Sequence, residues 1–169
     1  MARETPSPVG PERSALPAFL DYQRASIMMK AAGLDHAQLN QRLAPSSLTL
    51  AGILKHLSLV EDQWFDHKFK GNAQRRPWAN APWNKDPDWE FTTAPSHEPG
   101  ELLAMYESAC DRSRAICKGV DLSTLSARTG RSGDHWDLRW IFLHMIEETA
   151  RHAGHADLIR ESIDGATGA

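Results

Sequence analysis

The chain has 169 residues, 24% of them charged, which is enough for one domain with its own apolar core. Its net charge is −3 and its Lys and Arg residues are scattered, which argues against a nucleic-acid-binding groove. No apolar run approaches the roughly 18 residues of a membrane span, and residues 1–17 lack the apolar segment of a secretory signal. We therefore expect a cytoplasmic protein that binds neither nucleic acid nor membrane.

The predicted elements begin after an N-terminal segment that has no apolar core residues. Residues 1–12 are expected to form a disordered tail, which leaves residues 13–169 as the folded domain. Apolar side chains then recur at helical spacing in four segments. The predicted helices span residues 14–33, 47–71, 100–119 and 137–163. The second helix is expected to begin near Ser47–Thr49 and the fourth near Asp137, and the capping candidates are Gly33, Thr93 or Ser96, and Gly165.

The connection between the second and third helices differs in character from the rest of the chain. Residues 72–99 contain Trp78, Trp83, Trp89 and five prolines, with no helical or strand period. A connection this long is unusual unless it has a function, and its tryptophans argue against disorder. We predict a crossover packed on the helices. Two interpretations stay open: it seals one end of the core, or it forms a wall or lid over a site.

The remaining connections, residues 35–47 and 121–136, are polar and are predicted to be loops, the first with a short helical turn. With no convincing strand, the sequence predicts an all-α protein with a four-helix bundle. Cys110 and Cys117 lie seven residues apart on the third helix, about 10 Å along its axis, which is too far for a disulfide. Neither has an obvious activating neighbour, so both are expected to be reduced thiols.

The fourth helix has polar side chains on its inward face. Glu148 and His152 share the face of apolar residues such as Met145 and lie four residues apart, so their side chains point the same way. A carboxylate and an imidazole are costly on a core-facing stripe unless something pairs with them. A metal ion is one such partner, because side chains at this spacing can reach a single ion.

Spacing alone does not decide which residues bind the ion. His144 lies four residues before Glu148, so either His144 and Glu148 or Glu148 and His152 could form the pair. His56 adjoins the apolar stripe of the second helix, where spacing alone favours a half-exposed histidine at the core edge over a metal ligand. Glu147 and Arg151 are predicted to form a surface ion pair.

Several motifs together resemble one known family. They are the run Leu54-Lys55-His56-Leu57, the pairs Val60-Glu61 and Trp64-Phe65, the run from Glu148 to Asp157, and the ending Arg160-Glu161-Ser162-Ile163-Asp164-Gly165. In these motifs the chain is similar to the DinB-like metal-binding bundle superfamily. It is most similar to the actinobacterial subgroup near mycothiol-dependent maleylpyruvate isomerase and the mycothiol or bacillithiol S-transferases. The resemblance covers nearly the whole chain after the tail.

The resemblance implies a fold and a metal site. The family fold is an up-down-down-up four-helix bundle, in keeping with the long crossover. The family ligands map to His56, Glu148 and His152; many relatives carry histidine at the position of Glu148, and the isomerase branch carries glutamate. Three protein ligands leave one coordination position free, as in catalytic zinc sites. Zinc is the preferred ion, and His and Glu also suit nickel, iron or manganese.

The implied reaction is thiol chemistry. An open divalent ion lowers the pKa of a bound thiol, and a thiolate attacks electrophilic carbon. The resemblance therefore implies a thiol S-transferase or thiol-dependent isomerase that uses mycothiol or a similar thiol and an electrophile, with a homodimer as a further option. The alternatives are a metal-dependent hydrolase and a non-catalytic, stress-associated metal-binding bundle. His155 and Arg160 are candidate substrate-binding residues, and no other general acid or base stands out.

Overall fold

The structure is a computed structural model that describes residues 3–167, and most of this chain is helical, as predicted. The helices are α1 (Glu12–Ala31), α2 (His36–Leu39), α3 (Leu50–Glu61), α4 (Trp89–Thr92), α5 (Pro99–Cys117) and α6 (Leu138–Asp164). α3 continues directly as a π-helical segment, Asp62–Phe69, and short 3-10 turns occupy Trp78–Asn80 and Ala94–Ser96. The predicted tail and domain also include residues 1, 2, 168 and 169, which lie outside the described residues.

Local capping signals place the ends of two long helices correctly. The hydroxyl of Thr49 accepts a hydrogen bond from the N–H of Gly52 (3.0 Å) at the start of α3. The carboxylate of Asp137 accepts one from the N–H of Trp140 (2.7 Å) at the start of α6. Gly165 ends α6 in the left-handed conformation, with φ of 75°, as predicted for a C-cap glycine.

The start of α5 is capped differently from the prediction. Glu98 and Glu101 form a capping box there, in place of Thr93 or Ser96. Thr93 lies five residues before the Glu98 N-cap. Its hydroxyl instead accepts a hydrogen bond from Lys55 (2.6 Å) and donates one to the carbonyl of Trp89. The sequence signal for the cap was therefore present, but two residues after Ser96 and five after Thr93.

Ion pairs and hydrogen bonds at the helix ends show that α1 runs parallel to α6. Arg139 pairs with Glu12 (2.9 Å) where both helices start, and Arg160 donates to the carbonyl of Lys30 (2.9 Å) near where both end. The two helices pack along most of their length.

The direction of α5 is opposite to that of α1. The guanidinium of Arg13 donates to the carbonyl of Cys117 (2.6 Å), whereas Asp21 pairs with the earlier residue Arg114 (2.9 Å). α3 packs on α5 and on α6, and side-chain contacts described below show that α3 is antiparallel to α6. Residues far apart in sequence thus meet where α3 and α6 face each other.

Two apolar clusters fill the interior. One lies between α1, α3, α5 and the last part of α6, and includes Ile53, Leu57, Tyr106, Ala156 and Ile159. The second lies towards the other end of α6 and includes Leu20, Phe65, Ile141, Phe142 and Met145. The apolar periodicity of α3 and α6 predicted both faces.

The loop predicted over residues 121–136 contains two strands, so the all-α prediction is wrong for this segment. Strand β1 (Leu125–Thr129) pairs antiparallel with β2 (His135–Asp137), with an irregularity between the Leu125–Asp137 and Thr129–His135 pairs. The short hairpin is stabilised by tertiary contacts, because Arg128 on β1 donates to the carbonyl of Gly71 (3.0 Å). A tertiary contact of this kind cannot be predicted from the local periodicity of the sequence.

The crossover is packed on the helices by its tryptophans, as predicted. Trp78 is 1% exposed and its indole N–H donates to the carboxylate of Asp62 (3.0 Å), which also accepts from Arg112 (2.8 Å). The indole N–H of Trp83 donates to the carbonyl of Trp78 (3.1 Å). The crossover is therefore an ordered wall against the π-helical segment.

Residues 3–11 precede α1 without regular secondary structure. The guanidinium of Arg3 lies 4.4 Å from the ring centre of Tyr22 and donates to the hydroxyl of Ser26 (3.1 Å). Among the helices of residues 3–167, none combines the length and apolar content needed to cross a bilayer.

Candidate metal centre

Three side chains from two helices converge at one point. His56 comes from α3, and Glu148 and His152 come from α6. One potential ligand atom from each lies within 4.8 Å of the other two. Oε1 of Glu148 is 3.2 Å from Nε2 of His56 and 3.4 Å from Nε2 of His152. The structure thus brings His56 together with Glu148 and His152.

The donor set and its spacing fit a divalent cation. Zinc bonds to His nitrogen and carboxylate oxygen are about 2.0–2.2 Å long, so tetrahedral ligand atoms lie about 3.3–3.6 Å apart. The two distances from Glu148 Oε1, 3.2 and 3.4 Å, are close to that range. The imidazoles of His56 and His152 have ring centres 5.0 Å apart, and each offers a ligand atom within 4.8 Å of the other's.

The charges around His56 also favour a cation at this point. Burial lowers the pKa of the His56 imidazole, but hydrogen bonds to Glu148 and Glu90 outweigh burial and raise that pKa to about 9. The hydrogen bonds from His152 and His56 hold the pKa of Glu148 well below its usual range. The site therefore stabilises positive charge, and a metal ion would replace the proton of the imidazolium.

Glu90 is the site residue that sequence reasoning missed. It lies on α4 in the crossover, it is 6% exposed, and its Oε1 is 3.0 Å from Nδ1 of His56. A carboxylate on the second nitrogen of a metal-binding imidazole fixes the orientation of the ring and raises its basicity. The ring of Phe91 stacks on the imidazole of His56, with 4.9 Å between the ring centres. The only sign of this role in the sequence is that Glu90 is a carboxylate between two aromatic residues, Trp89 and Phe91.

Lys55 attaches α4 to α3 beside this pair. Its buried ammonium donates to the hydroxyl of Thr93 (2.6 Å), lies 3.1 Å from Nε2 of His97 and sits 4.4 Å from the ring centre of Trp89. Burial lowers the pKa of Lys55 to about 8, and the charge of Glu90 partly opposes this effect. These contacts hold the turn that carries Glu90 against the helix that carries His56.

His144 lies outside the group of three. Its ring packs against Trp64 (4.5 Å between centres) and stacks on Trp140 (5.2 Å). Burial lowers the pKa of His144. Of the two pairs that spacing allowed, Glu148 with His152 is therefore the one that meets His56.

The candidate substrate-binding residues occupy different positions. The ring of His155 contacts that of His152 edge-on (5.4 Å), beside the group of three. Arg160 pairs with Asp164 and donates to backbone carbonyls at the end of α1, about 12 Å along α6 from His152 by the helical rise. Arg151 pairs with Glu147, as predicted, and lies 3.7 Å from Oε2 of Glu148.

Comparison with protein families adds an independent finding. A family model for mycothiol S-transferases matches residues 15–165. The chain belongs to the mycothiol S-transferase family. This confirms the resemblance drawn from the motifs of α3 and α6. A search among curated proteins finds no significant match.

In this member of the mycothiol S-transferase family, a cleft of about 420 Å³ opens beside His56. It is lined by His56, Leu59, Val60, Gln63, Gln74, Trp83, Pro87 and Glu90. Trp83 and Pro87 come from the crossover, so this segment forms one wall of the space next to the candidate metal ligand. The crossover therefore both packs on the helices and borders the site.

Proposed function

We propose that this protein is a divalent-metal-dependent thiol S-transferase, with His56, Glu148 and His152 as metal ligands. The observation that carries the proposal is the convergence of these three side chains, within 4.8 Å, in a member of the mycothiol S-transferase family. Three protein ligands leave a position for a reactant, as catalytic sites require. We propose zinc as the ion, with nickel, iron or manganese as other ions that suit this donor set.

The chain's own residues have distinct roles in this proposal. Glu90 orients the imidazole of His56, and Phe91 keeps the ring in place by stacking. When bound, the cation would lower the pKa of a thiol at its free position towards neutrality. The cleft lined by Trp83 and Pro87 opens beside His56 and gives reactants access to this position.

The reaction transfers sulfur to carbon. The thiol gives its proton to solvent, and its sulfur forms a bond to the electrophilic carbon as the leaving group departs with the bonding electron pair. An isomerase would instead add the thiol sulfur to a carbon–carbon double bond, with the displaced electron pair held on the neighbouring atoms, and would later expel the thiol to re-form that double bond. Family membership supports mycothiol as the thiol. A cytoplasmic location is part of the proposal, since thiols remain reduced there, and so is an actinobacterial source.

The helix directions support the bundle that the resemblance implies. α1 and α6 run in one direction, α5 runs opposite to α1, and α3 runs opposite to α6. This is the order expected of an up-down-down-up bundle, in which the crossover joins the two parallel middle helices. We propose this bundle as the architecture of residues 13–169, with residues 1–12 as a tail and a homodimer as a possible assembly.

The test is a thiol conjugation assay on the purified, zinc-loaded protein. We expect mycothiol and monobromobimane to form conjugate faster than the uncatalysed reaction, with the gain lost on chelation and restored by zinc. A rate that never exceeds background contradicts the transferase. Metal-dependent hydrolysis of an ester or amide without thiol would instead identify a hydrolase. Stoichiometric metal with neither activity would identify a non-catalytic metal-binding bundle.

A further inference from the structure

A line of side chains continues from the candidate metal centre along the same two helices. On α3 and the π-helical segment, His56, Val60, Trp64 and Lys68 follow at intervals of four residues, and on α6, Trp140, His144, Glu148 and His152 do the same. His56 contacts Glu148 and His152, whereas Trp64 contacts His144 and Trp140. The two rows are therefore antiparallel. We call these eight residues the seam.

The end of the seam away from the metal ligands is aromatic. The ring of Trp64 lies 4.5 Å from His144, 5.3 Å from Trp140 and 5.1 Å from Trp136 of strand β2. Trp140 stacks on His144 and keeps 44% of its surface exposed. Exposed, rigid aromatic faces of this kind bind planar apolar groups.

A cation lies at this aromatic end. The ammonium of Lys68 is 3.5 Å from the ring centre of Trp64 and 5.2 Å from that of Trp136. Within residues 3–167, the structure gives this ammonium no carboxylate and no hydrogen-bond partner. Partial burial lowers the pKa of Lys68. By contrast, Lys55 beside the metal centre has a hydroxyl and an imidazole as partners.

The metal-ligand end and the aromatic end of the seam are separated by about the length of a small molecule. Trp140 is eight residues before Glu148 on α6, which corresponds to about 12 Å along that α-helix. A compound of roughly 10 Å could therefore place an anionic group on the ammonium of Lys68, a planar ring against Trp140, and a reactive carbon near the ligands His56 and Glu148.

We propose that the aromatic end of the seam is the binding site for the electrophile, and that this electrophile is an aromatic compound carrying an anionic group such as a carboxylate. Lys68 recognises the anion and Trp140 stacks on the ring. The proposal rests on the proposed thiol transfer for its catalytic meaning. Binding of the aromatic anion itself, however, needs neither thiol nor turnover.

The test measures binding by calorimetry, with naphthalene-2-carboxylate as the probe and naphthalene-2-carboxamide as its neutral counterpart. We expect the native protein to prefer the carboxylate by at least about tenfold, the lower end of what a hydrogen bond to a charged group contributes. Lys68→Met should abolish the preference but retain the binding of the amide. Lys68→Arg should restore the preference, and Trp140→Ala should weaken both compounds.

Lys70→Met is the matched control, because Lys70 is an exposed lysine two residues further along the chain. It should leave the preference unchanged. Equal affinity of the native protein for acid and amide would overturn the proposal, as would a preference that survives Lys68→Met. A preference that survives this variant but disappears on metal removal would place the carboxylate on the metal instead. Because no thiol is present, these results are independent of whether the protein transfers thiols.

Discussion

The imidazole of His56 lies between two carboxylates, with Nδ1 3.0 Å from Oε1 of Glu90 and Nε2 3.2 Å from Oε1 of Glu148. One carboxylate comes from the crossover and the other from α6. If Glu148 ligates the metal, Glu90 is the residue that sets the orientation and basicity of the ligand. The crossover would thereby contribute directly to metal affinity.

The first prediction concerns Glu90. Glu90→Gln keeps a hydrogen-bond acceptor in place but removes the negative charge behind His56. We expect zinc affinity to fall about 10–100-fold, the usual effect of losing such a partner, while the helical content stays the same. Competition with a chromophoric chelator measures the affinity. Glu107→Gln, at an exposed position on α5, is the control, and equal affinities of the two variants would disprove the role of Glu90.

The second prediction separates the two histidines that spacing could not distinguish. His152→Ala removes one of three converging side chains, so the variant should purify without stoichiometric metal and should show no metal-dependent activity. His144→Ala should keep its metal, because His144 packs on Trp64 and Trp140 instead. Elemental analysis of both variants measures their metal content and distinguishes the two histidines. Full occupancy in His152→Ala would remove this residue from the ligand set.

His144 and His152 also show which features could be predicted from the sequence and which could not. Helix ends marked by Thr49, Asp137 and Gly165 were predictable because a capping side chain or a left-handed glycine acts within a few residues. The choice between His144 and His152 was not, because it depends on the register between α3 and α6. Only the resemblance singled out Glu148 and His152, the pair that lies near His56 in the structure.

Segments without a period were the least predictable. The position of Glu90 follows from how Lys55 anchors the turn of α4, and nothing in the spacing of residues 72–99 reveals that contact. Strand β1 likewise makes a long-range contact, the hydrogen bond from Arg128 to Gly71. In both cases long-range contacts override weak local preferences.

The third prediction is a pH dependence of stability. Burial raises the pKa of the Cys117 thiol to about 12 and raises that of Cys110 as well, whereas an unfolded thiol ionises near 8.5. The native state therefore keeps protons that the unfolded state loses above about pH 8.5. In this range the free energy of unfolding should fall by about 1.4 kcal/mol per pH unit for each thiol.

Urea unfolding at pH 8, 9 and 10 measures this slope. Cys117→Ala serves as the comparison, because it removes one ionising group. The variant should lose stability at every pH through its smaller side chain, yet its stability should decline less steeply with pH than that of the native protein. Identical slopes for the two proteins would show that the native thiol of Cys117 ionises normally.

The last prediction concerns the buried ion pair between α1 and α3. Arg24 donates to both oxygens of Glu61 at 2.7 and 2.6 Å, and both side chains are buried. Arg24→Met should lower the free energy of unfolding by about 3–5 kcal/mol, because it leaves the carboxylate of Glu61 unpaired in the interior.

Replacing both partners, as Arg24→Met with Glu61→Leu, should recover most of this loss, since no isolated charge remains. Arg139→Met is the control for removing an ion pair at the surface, where Arg139 meets Glu12, and it should leave the urea midpoint nearly unchanged. If the double variant is as unstable as Arg24→Met alone, the cost lies in the packing of α1 against α3 and not in the unpaired charge of Glu61.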